Sequence, residues 1–432
     1  MSAFLLKFRH FTSGTILRRN IGMTFGRQVI SAILQLIVVV IIARELGPEG
    51  NGIYAMTILV PTLMSNFLSL GIGSATVYHL SKGDFSVSQI INGNLKLGLY
   101  ISFVGIIVAY LIITYWGNKI FPGIPSNLLF LGLLSFPITL LLSFLNAIFQ
   151  GLEDFKAFNL TVMLPPVIML VGTSLALYVF DLKILSLIYV FIASQLSALI
   201  ATLVLLKRSK LNSKENEPSV MVKRSTSYNR KILKFGWKAH LSNIITFINY
   251  RADLFLVNFF ISPAAAGIYI IAIKISEKLW MPSQAVSTVT YPRLSTMTND
   301  PIGRLKLTKK AFYLVALITA AISLISALIL VWFVGPLFGH EYKSVLPAFL
   351  CLVPGVILWA GARVQASCIA AAGRPEWNMY ISIAVLAINI SGNLMLIPRY
   401  GILGAAIATS IAYAFDSLVK YYFVNKTSNI EV

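Results

Sequence analysis

Twelve long apolar runs, separated by short polar gaps, leave this chain little choice of solvent. A helix rises about 1.5 Å per residue, so about 20 apolar residues cross the ~30 Å hydrocarbon core of a bilayer. Runs of that kind occupy residues 20–44, 53–80, 88–116, 125–150, 156–180 and 184–206. After a polar gap come 233–260, 264–291, 308–334, 344–372, 376–398 and 402–425. Only 12% of the residues are charged, against about 25% in ordinary soluble domains, so most of the chain meets lipid or other helices. The runs are continuous rather than alternating, which excludes a transmembrane barrel. The expected fold is an all-α integral membrane protein of about twelve transmembrane helices.

Orientation follows from lysine and arginine. The net charge of +20 sits mostly in the gaps between runs, as membrane topology signals do. Nucleic-acid binding calls instead for cations clustered on a water-facing domain, and is not expected. Gaps on one side hold Lys7, Arg9, Arg18, Arg19, Lys82, Lys156, the cluster from Lys207 to Lys234, Arg293 to Lys310, Arg374, Lys420 and Lys426. The other side holds only Arg44, Lys119, Lys183, Lys343 and Arg399. By the positive-inside rule both termini face the cytoplasm, and an even number of spans agrees. The basic N-terminal segment lacks a long apolar core of its own and reads as interfacial rather than as a cleaved signal. Cys351 and Cys368 share one apolar run; on a helix they lie about 25 Å apart and read as small buried residues.

The longest polar stretch, 207–232, is basic and serine-rich with one proline. It reads as a flexible cytoplasmic linker. It divides residues 1–206, an N-terminal six-helix bundle, from 233–432, a C-terminal one. The halves resemble each other. LGPEGNGIY at 46–54 matches ISPAAAGIY at 261–269, pairing Pro48 with Pro263, Gly52 with Gly267 and Tyr54 with Tyr269. Each segment joins the first and second helix of its half. The proline breaks the first helix, and the glycine permits close helix approach. Halves that enter the membrane the same way up are related by an axis along the membrane normal, an arrangement common in transporters. It suggests two bundles rocking about a central cavity.

Charges inside spans carry the functional signal. A charged side chain at a helix centre costs about 2.5–3.5 kcal/mol on insertion scales. The spans contain Arg27, Lys96, Lys238, Arg251, Lys274, Lys278 and Arg363, opposed by Asp253, Glu277 and Asp416. Lys96 and Lys238 lie near helix ends and can snorkel. Lys274 and Glu277, at i and i+3, can neutralise each other. Arg251 lies away from the polar stripe of its helix and can pair with a neighbour. The first helix shows a stripe of Thr24, Arg27, Gln28, Ser31 and Gln35, and the seventh a corresponding one through Ser242, Asn243, Thr246 and Tyr250. Neutral stripes also serve ordinary interhelical hydrogen bonding. An excess of buried cations calls for an anion, and arginine's planar fork suits phosphate oxygens. The expected substrate-binding residues are Arg27, Gln28, Lys238, Arg251, Lys274, Lys278 and Arg363, with Asp253 the candidate for ion coupling.

Several segments, taken in order, resemble the polysaccharide-export branch of the multidrug/oligosaccharidyl-lipid/polysaccharide flippase superfamily. They are IIARELGPEGNGIYA (41–55), NYRADLFLVNFFISPAAAGIYIIAIKISEKLWMP (249–282), TVTYPRLS (288–295), AAAGRPEWN (370–378) and LIPRYGILGAAIATSIAYAF (396–415). The resemblance implies a translocase in a bacterial cytoplasmic (inner) membrane. Its cargo would be an O-antigen, capsule or exopolysaccharide repeat unit linked to undecaprenyl pyrophosphate. It implies a cation-lined cavity, with Arg27 and Asp253 at matching positions. It also implies membrane lipids, a polysaccharide polymerase and other assembly proteins as partners. Peptidoglycan-precursor flippases of the same superfamily carry an Arg-Asp pair in the first helix, where this chain has Arg27-Gln28.

Two other classes compete. An ion-coupled small-molecule antiporter of the multidrug and toxin extrusion type would share the fold, but an excess of cations disfavours cationic cargo. A membrane polymerase, ligase or glycosyltransferase would be an enzyme. Against it, the sequence shows no large external loop and no nucleotide-sugar acidic motif. His10, His79, His240 and His340 lack metal-ligand spacing. With no Walker G-x-x-x-x-G-K-[ST] motif, neither enzymatic activity nor a cofactor is expected.

Overall fold

The computed structural model describes residues 14–213, 228–297 and 300–430, with the side chains of all but 14–22, 209–213, 238, 239, 242, 292 and 427–430. Among the described residues every regular element is helical. In chain order they are α1 (Gly14–Leu68), α2 (Ile72–Lys82), α3 (Val87–Ile120), α4 (Ser126–Leu133), α5 (Ser135–Gly151), α6 (Phe155–Ser174) and α7 (Ile184–Ser213). There follow α8 (Tyr228–Phe260), α9 (Pro263–Lys278), α10 (Met281–Thr296), α11 (Pro301–Phe338), α12 (Val345–Ala371), α13 (Pro375–Tyr400) and α14 (Ile402–Ile430). A π turn at Leu175–Val179 extends α6. Cys351 and Cys368 are both free thiols.

Helix starts follow local chemistry. Asp154 caps α6 by accepting from Ala157 N at 3.0 Å, and Asp300 caps α11 by accepting from Gly303 N at 2.7 Å. Ser262 caps α9 through Ala265 N at 3.2 Å. Each satisfies a backbone N–H that lies before the first helical turn closes. Pro263 and Pro301 then open α9 and α11, where the missing N–H costs nothing.

Nine helical stretches among the described residues are long and apolar enough to cross a membrane, where the sequence led us to expect twelve. The first two expected spans fall on one continuous helix followed by α2. The Met23–Leu68 part of α1 has 46 residues, so it would be about 70 Å long if straight, more than twice the bilayer core. It bends at Gly47, whose φ of 65° is open to glycine. The sequence reading placed this break at Pro48, which sits just past it. The seventh span, α8, is not among the nine; its uninterrupted described stretch, 243–260, carries Arg251, Asp253 and three asparagines. The eighth, expected as one helix over 264–291, is broken at Leu279–Trp280 into α9 and α10, each 16 residues long. Pro282 follows the break and cannot donate to the preceding turn. The expected linker is also narrower than 207–232: α7 runs to Ser213 and α8 begins at Tyr228, while 214–227 lies outside the described residues.

The helices group into two compact units. Unit 1 contains the chain through Val38, then Ile58–Tyr115 and Ser126–His240. Unit 2 contains Val39–Thr57, Trp116–Pro125 and the chain from Leu241 onward. In a bilayer, lipid is as apolar as leucine, so packing detail and interhelical hydrogen bonds do the holding. In unit 1, buried Asn94 of α3 donates to Thr76 Oγ1 at 3.0 Å and to Phe144 O at 3.2 Å, and accepts from Tyr228 OH at 2.6 Å. One asparagine thus joins α2, α3, α5 and the start of α8. In the same unit Ile90, Leu145, Ile148, Phe149 and Ala198 belong to one buried apolar cluster, against which Tyr228 packs.

In unit 2 the two copies of the repeated segment lie directly against each other. A Cβ on Gly52 would stand 1.7 Å from Pro263 O, and one on Gly267 would stand 1.9 Å from Pro48 O. The contact is reciprocal: each glycine receives the carbonyl of the other copy's proline. Asn51 Nδ2 reinforces it by donating to Gly267 O at 2.8 Å. Tyr342 OH donates to Ala43 O at 3.0 Å, and Arg44 Nη1 to Pro336 O at 2.8 Å, on the same side of the unit.

Both obstacles at the glycine crossing are backbone, which cannot swing aside. Gly52→Val and Gly267→Val should therefore each cost about 3 kcal/mol, the upper end of overpacking penalties. Gly26→Ala, inside α1 where an added Cβ meets nothing within 4 Å, should leave stability equal or raise it by up to about 1 kcal/mol. Thermal midpoints of the purified variants in one detergent check this.

Candidate substrate site

Unit 2 gathers three of the expected cations around one carboxylate. Arg251 of α8 reaches Glu277 of α9, Nη1 to Oε1, at 2.6 Å. Lys274, one helical turn before Glu277, approaches its Oε2 at 3.6 Å. Lys278 follows Glu277 directly on the chain. Arg251 faces away from the polar stripe of its own helix, so its partner lies on the next helix, as the sequence pattern suggested. Its side chain is 20% exposed and that of Glu277 17%. At that depth a lone charge would be costly, and a shared carboxylate relieves much of the cost. Arg251 and Lys274 together carry one positive charge more than the single carboxylate they share.

Asp253 lies two residues beyond Arg251 and is almost fully buried. Its Oδ2 accepts from Tyr269 OH at 2.8 Å and from Thr409 Oγ1 at 3.1 Å, and its Oδ1 from Leu254 N at 2.7 Å. Thr409 in turn accepts from Asn389 Nδ2 at 3.2 Å, and Asn393 Nδ2 donates to Asn389 Oδ1 at 3.1 Å. The carboxylate therefore ends a chain of neutral polar groups across α9, α13 and α14. Tyr269 is the tyrosine of the second repeat copy, so the repeated segment itself supplies a donor to this acid. A second buried acid, Asp416, is held by Lys420 at 2.7 Å within α14.

Arg363 of α12 is half-buried and lies over the ring of Trp359, 5.1 Å from its centroid. Among the described residues no carboxylate lies within ion-pair distance of it. Trp359 belongs to a group of four rings with Tyr250, Trp280 and Tyr413. Tyr250 is the chain neighbour of Arg251, and Trp280 stands two residues after Lys278.

Unit 1 holds the remaining candidates. Arg27 is half-buried with its guanidinium 5.8 Å from the ring centre of Phe158, and its buried Nε has no hydrogen-bond partner. Gln28 is half-buried beside it. The side chain of Lys238 lies outside those described. The structure thus brings Arg251, Lys274 and Lys278 together, puts Arg363 on the aromatic group, and leaves Arg27 and Gln28 in the other unit. Tyr269, Thr409, Trp280 and Trp359 were missed from sequence. The nine-residue run from Lys274 through Trp280 to Pro282 was the available signal for one of them, since a proline after a charged, aromatic turn marks a broken span.

Residues 17–298, well over half of the chain, match the family described as polysaccharide biosynthesis protein. The chain belongs to the polysaccharide biosynthesis protein family. Relatives of this family member include "Probable flippase AglR" of Haloferax volcanii, 26% identical over 43% of this chain and 39% of that protein. Another is "Capsular polysaccharide biosynthesis protein CapF" of Staphylococcus aureus, 27% identical over 33% of this chain and 37% of that protein. The chain thus spans about two fifths of the length of these curated relatives. Its fold is that of an inward-facing multidrug-resistance MATE family transporter of the MOP superfamily, with TM-score 0.69, 14% identity, and 93% of this chain and 95% of that one covered. Lipid II flippase MurJ in an inward closed conformation shares the fold equally, with TM-score 0.69, 19% identity, and coverage of 94% and 89%. The family member is accordingly a multi-pass integral membrane protein.

Glu277→Gln leaves Arg251 and Lys274 without their carboxylate. It should destabilise the protein by about 3 kcal/mol, the lower end for breaking a buried pair, because both partners keep some exposure. In a double-mutant cycle with Arg251→Gln, the second change should cost much less once the first is made. Additive losses in thermal midpoint would show that the two side chains do not act as a pair.

Proposed function

We propose that this protein carries an oligosaccharide repeat unit linked to undecaprenyl pyrophosphate from the cytoplasmic to the outer leaflet, by alternating access. The observation that carries the reading is that Arg251 and Lys274 share one carboxylate, Glu277, with Arg363 close by on its aromatic support. A pyrophosphate presents several oxygens that accept charge-assisted hydrogen bonds from arginine and lysine. Arg27, Gln28 and Lys238, singled out by the sequence pattern, remain candidates for contact with the cargo in their own unit. Family membership supports the sugar, and a relative named as a flippase supports the movement.

The polytopic fold is shared with multidrug transporters, so fold alone does not choose the cargo. The charge balance chooses: a cationic drug is repelled where a pyrophosphate is attracted. The protein acts as a transporter rather than a catalyst in this reading. It works in the bacterial inner membrane with both termini cytoplasmic, and hands its cargo to a polymerase and other assembly proteins. Asp253 couples transport to H⁺ or Na⁺, since its carboxylate is buried and ends a chain of groups able to bind or relay a small cation.

In cells that depend on the protein, its loss should strand lipid-linked repeat units on the cytoplasmic leaflet. Arg363→Ala and Arg27→Ala should insert normally and lose roughly ten- to a hundredfold in surface polysaccharide, the effect of one charge-assisted hydrogen bond. Normal polysaccharide in both variants would sink the assignment of these cations to the cargo. Asp253→Asn should make transport in vesicles indifferent to an imposed H⁺ or Na⁺ gradient; a gradient response equal to the wild type would remove the coupling role.

A further inference from the structure

The pyrophosphate accounts for the cations but not for the aromatic group beside them. Four rings converge there from four separate segments: Tyr250 on α8, Trp280 at the α9–α10 break, Trp359 on α12 and Tyr413 on α14. Tyr250 and Trp280 lie with ring centroids 5.0 Å apart, Trp280 and Trp359 4.4 Å, and Trp359 and Tyr413 5.5 Å. The four are not equivalent in burial. Trp359 and Tyr413 are 8% and 5% exposed, whereas Tyr250 and Trp280 are half-buried and keep part of their surface open. The first pair backs the second. Arg363 seated on Trp359 fixes that backing ring further.

The backbone at this place is also exceptional. α9 and α10 have 16 residues each, so either alone reaches about 24 Å, short of the ~30 Å core. With α9 and α10 together making up the expected eighth span, the break at Leu279–Trp280 falls inside it. Both residues keep right-handed helical angles, with Leu279 N donating to Ser276 O at 3.1 Å and Trp280 N to Glu277 O at 3.4 Å, so the helix tightens here into an i→i−3 turn before Pro282. Polar atoms collect along the same stretch: Ser276 Oγ, Trp280 Nε1 and Ser287 Oγ are buried and have no hydrogen-bond partner among the described residues. Each such atom costs about 1–3 kcal/mol. Three of them along the broken helix that carries Trp280 suit a partner rich in hydroxyl groups.

We propose that Tyr250 and Trp280 form a stacking platform for a sugar ring of the cargo, backed by Trp359 and Tyr413, with the orphaned groups of α9 and α10 serving its hydroxyls. The assignment rests on the lipid-pyrophosphate reading above and adds the place where the sugar next to the pyrophosphate is held. A pyranose has an apolar C–H face that stacks on an aromatic ring and a rim of hydroxyls that need donors and acceptors. Tryptophan offers both, a broad face and an N–H. A polyprenyl chain would use the rings but leave the orphaned polar atoms unmet. A quaternary ammonium group would suit an aromatic cage, but Arg251, Lys274, Lys278 and Arg363 repel it. The platform also gives cargo preference a structural seat: the first sugar is read by ring faces, whereas the pyrophosphate is common to every cargo of the class.

The test uses the full chain in lipid nanodiscs, prepared without glycosidic detergent. Three probes are titrated: farnesyl pyrophosphate, farnesyl pyrophosphate bearing an N-acetylglucosaminyl or galactosyl disaccharide, and the same disaccharide on farnesol without pyrophosphate. The wild type should bind the sugar-bearing pyrophosphate about tenfold or more tightly than farnesyl pyrophosphate, the gain from one or two good contacts. Trp280→Leu and Tyr250→Leu should abolish that gain and leave farnesyl pyrophosphate binding within about twofold of the wild type. A sugar-dependent gain that survives both substitutions, or is missing from the wild type, overturns the platform. Loss of farnesyl pyrophosphate binding in the wild type, with the pyrophosphate-free disaccharide still bound and released by Trp280→Leu, overturns the cation reading and keeps the platform. If the leucine variants do not fold, the wild-type comparison alone decides, and Trp280→Phe, which keeps a ring and removes the N–H, should retain part of the gain.

Discussion

Glu277 is the carboxylate on which the basic side of unit 2 depends. A membrane-spanning bundle can hold Arg251 and Lys274 together only if something offsets two like charges in a medium of low dielectric. Glu277 does this from α9 for a residue of α8 and for one of its own helix. It does not neutralise the whole set. In the proposed reading, the positive charge of Arg251 and Lys274 left over from their shared carboxylate is presented by helices rather than by loops, in the same unit as the group of rings. A stable basic site inside a bundle needs this partial compensation: full pairing would leave nothing for a ligand, and none would not fold.

The second constraint is geometric. The Gly52–Gly267 crossing packs the two repeat copies of unit 2 at backbone contact, closer than any side chain would permit. Tyr269, two residues after Gly267, then points its hydroxyl at Asp253. The close crossing and the buried acid are therefore set by one short segment. An alteration at the glycine would shift the tyrosine as well, so packing and the candidate coupling site are mechanically joined in α9.

Much of this was legible in the sequence for simple reasons. Continuous apolar runs of about 20 residues become helices, since backbone polar groups must be satisfied internally in lipid. Lys274 and Glu277 sit one turn apart, so their pairing follows from helix period alone. Arg251 lies off its helix's polar stripe, which sends it to a neighbour. Other features were not legible. Tyr269 and Thr409 bind Asp253 from positions 16 and 156 residues away, and neutral residues on apolar helices carry no mark of such a role. The aromatic group draws on residues between Tyr250 and Tyr413, so only the folded chain reveals it. The break in the eighth span was hidden because Leu279, Trp280 and Met281 are all apolar, and hydropathy does not register a kink. Pro48 drew attention away from Gly47, where the backbone of α1 turns.

The most direct measurement of the central claim, that fixed cations act on a lipid-linked pyrophosphate, is transbilayer movement in proteoliposomes. A short polyprenyl-pyrophosphate oligosaccharide is loaded in both leaflets, the outer pool is cut by an added glycosidase, and delivery of the inner pool is followed with time. The account requires protein-dependent delivery of the pyrophosphate probe, and delivery at the protein-free rate for the same polyprenyl oligosaccharide lacking pyrophosphate. Equal delivery of both probes, or none above the protein-free rate for either, would contradict it.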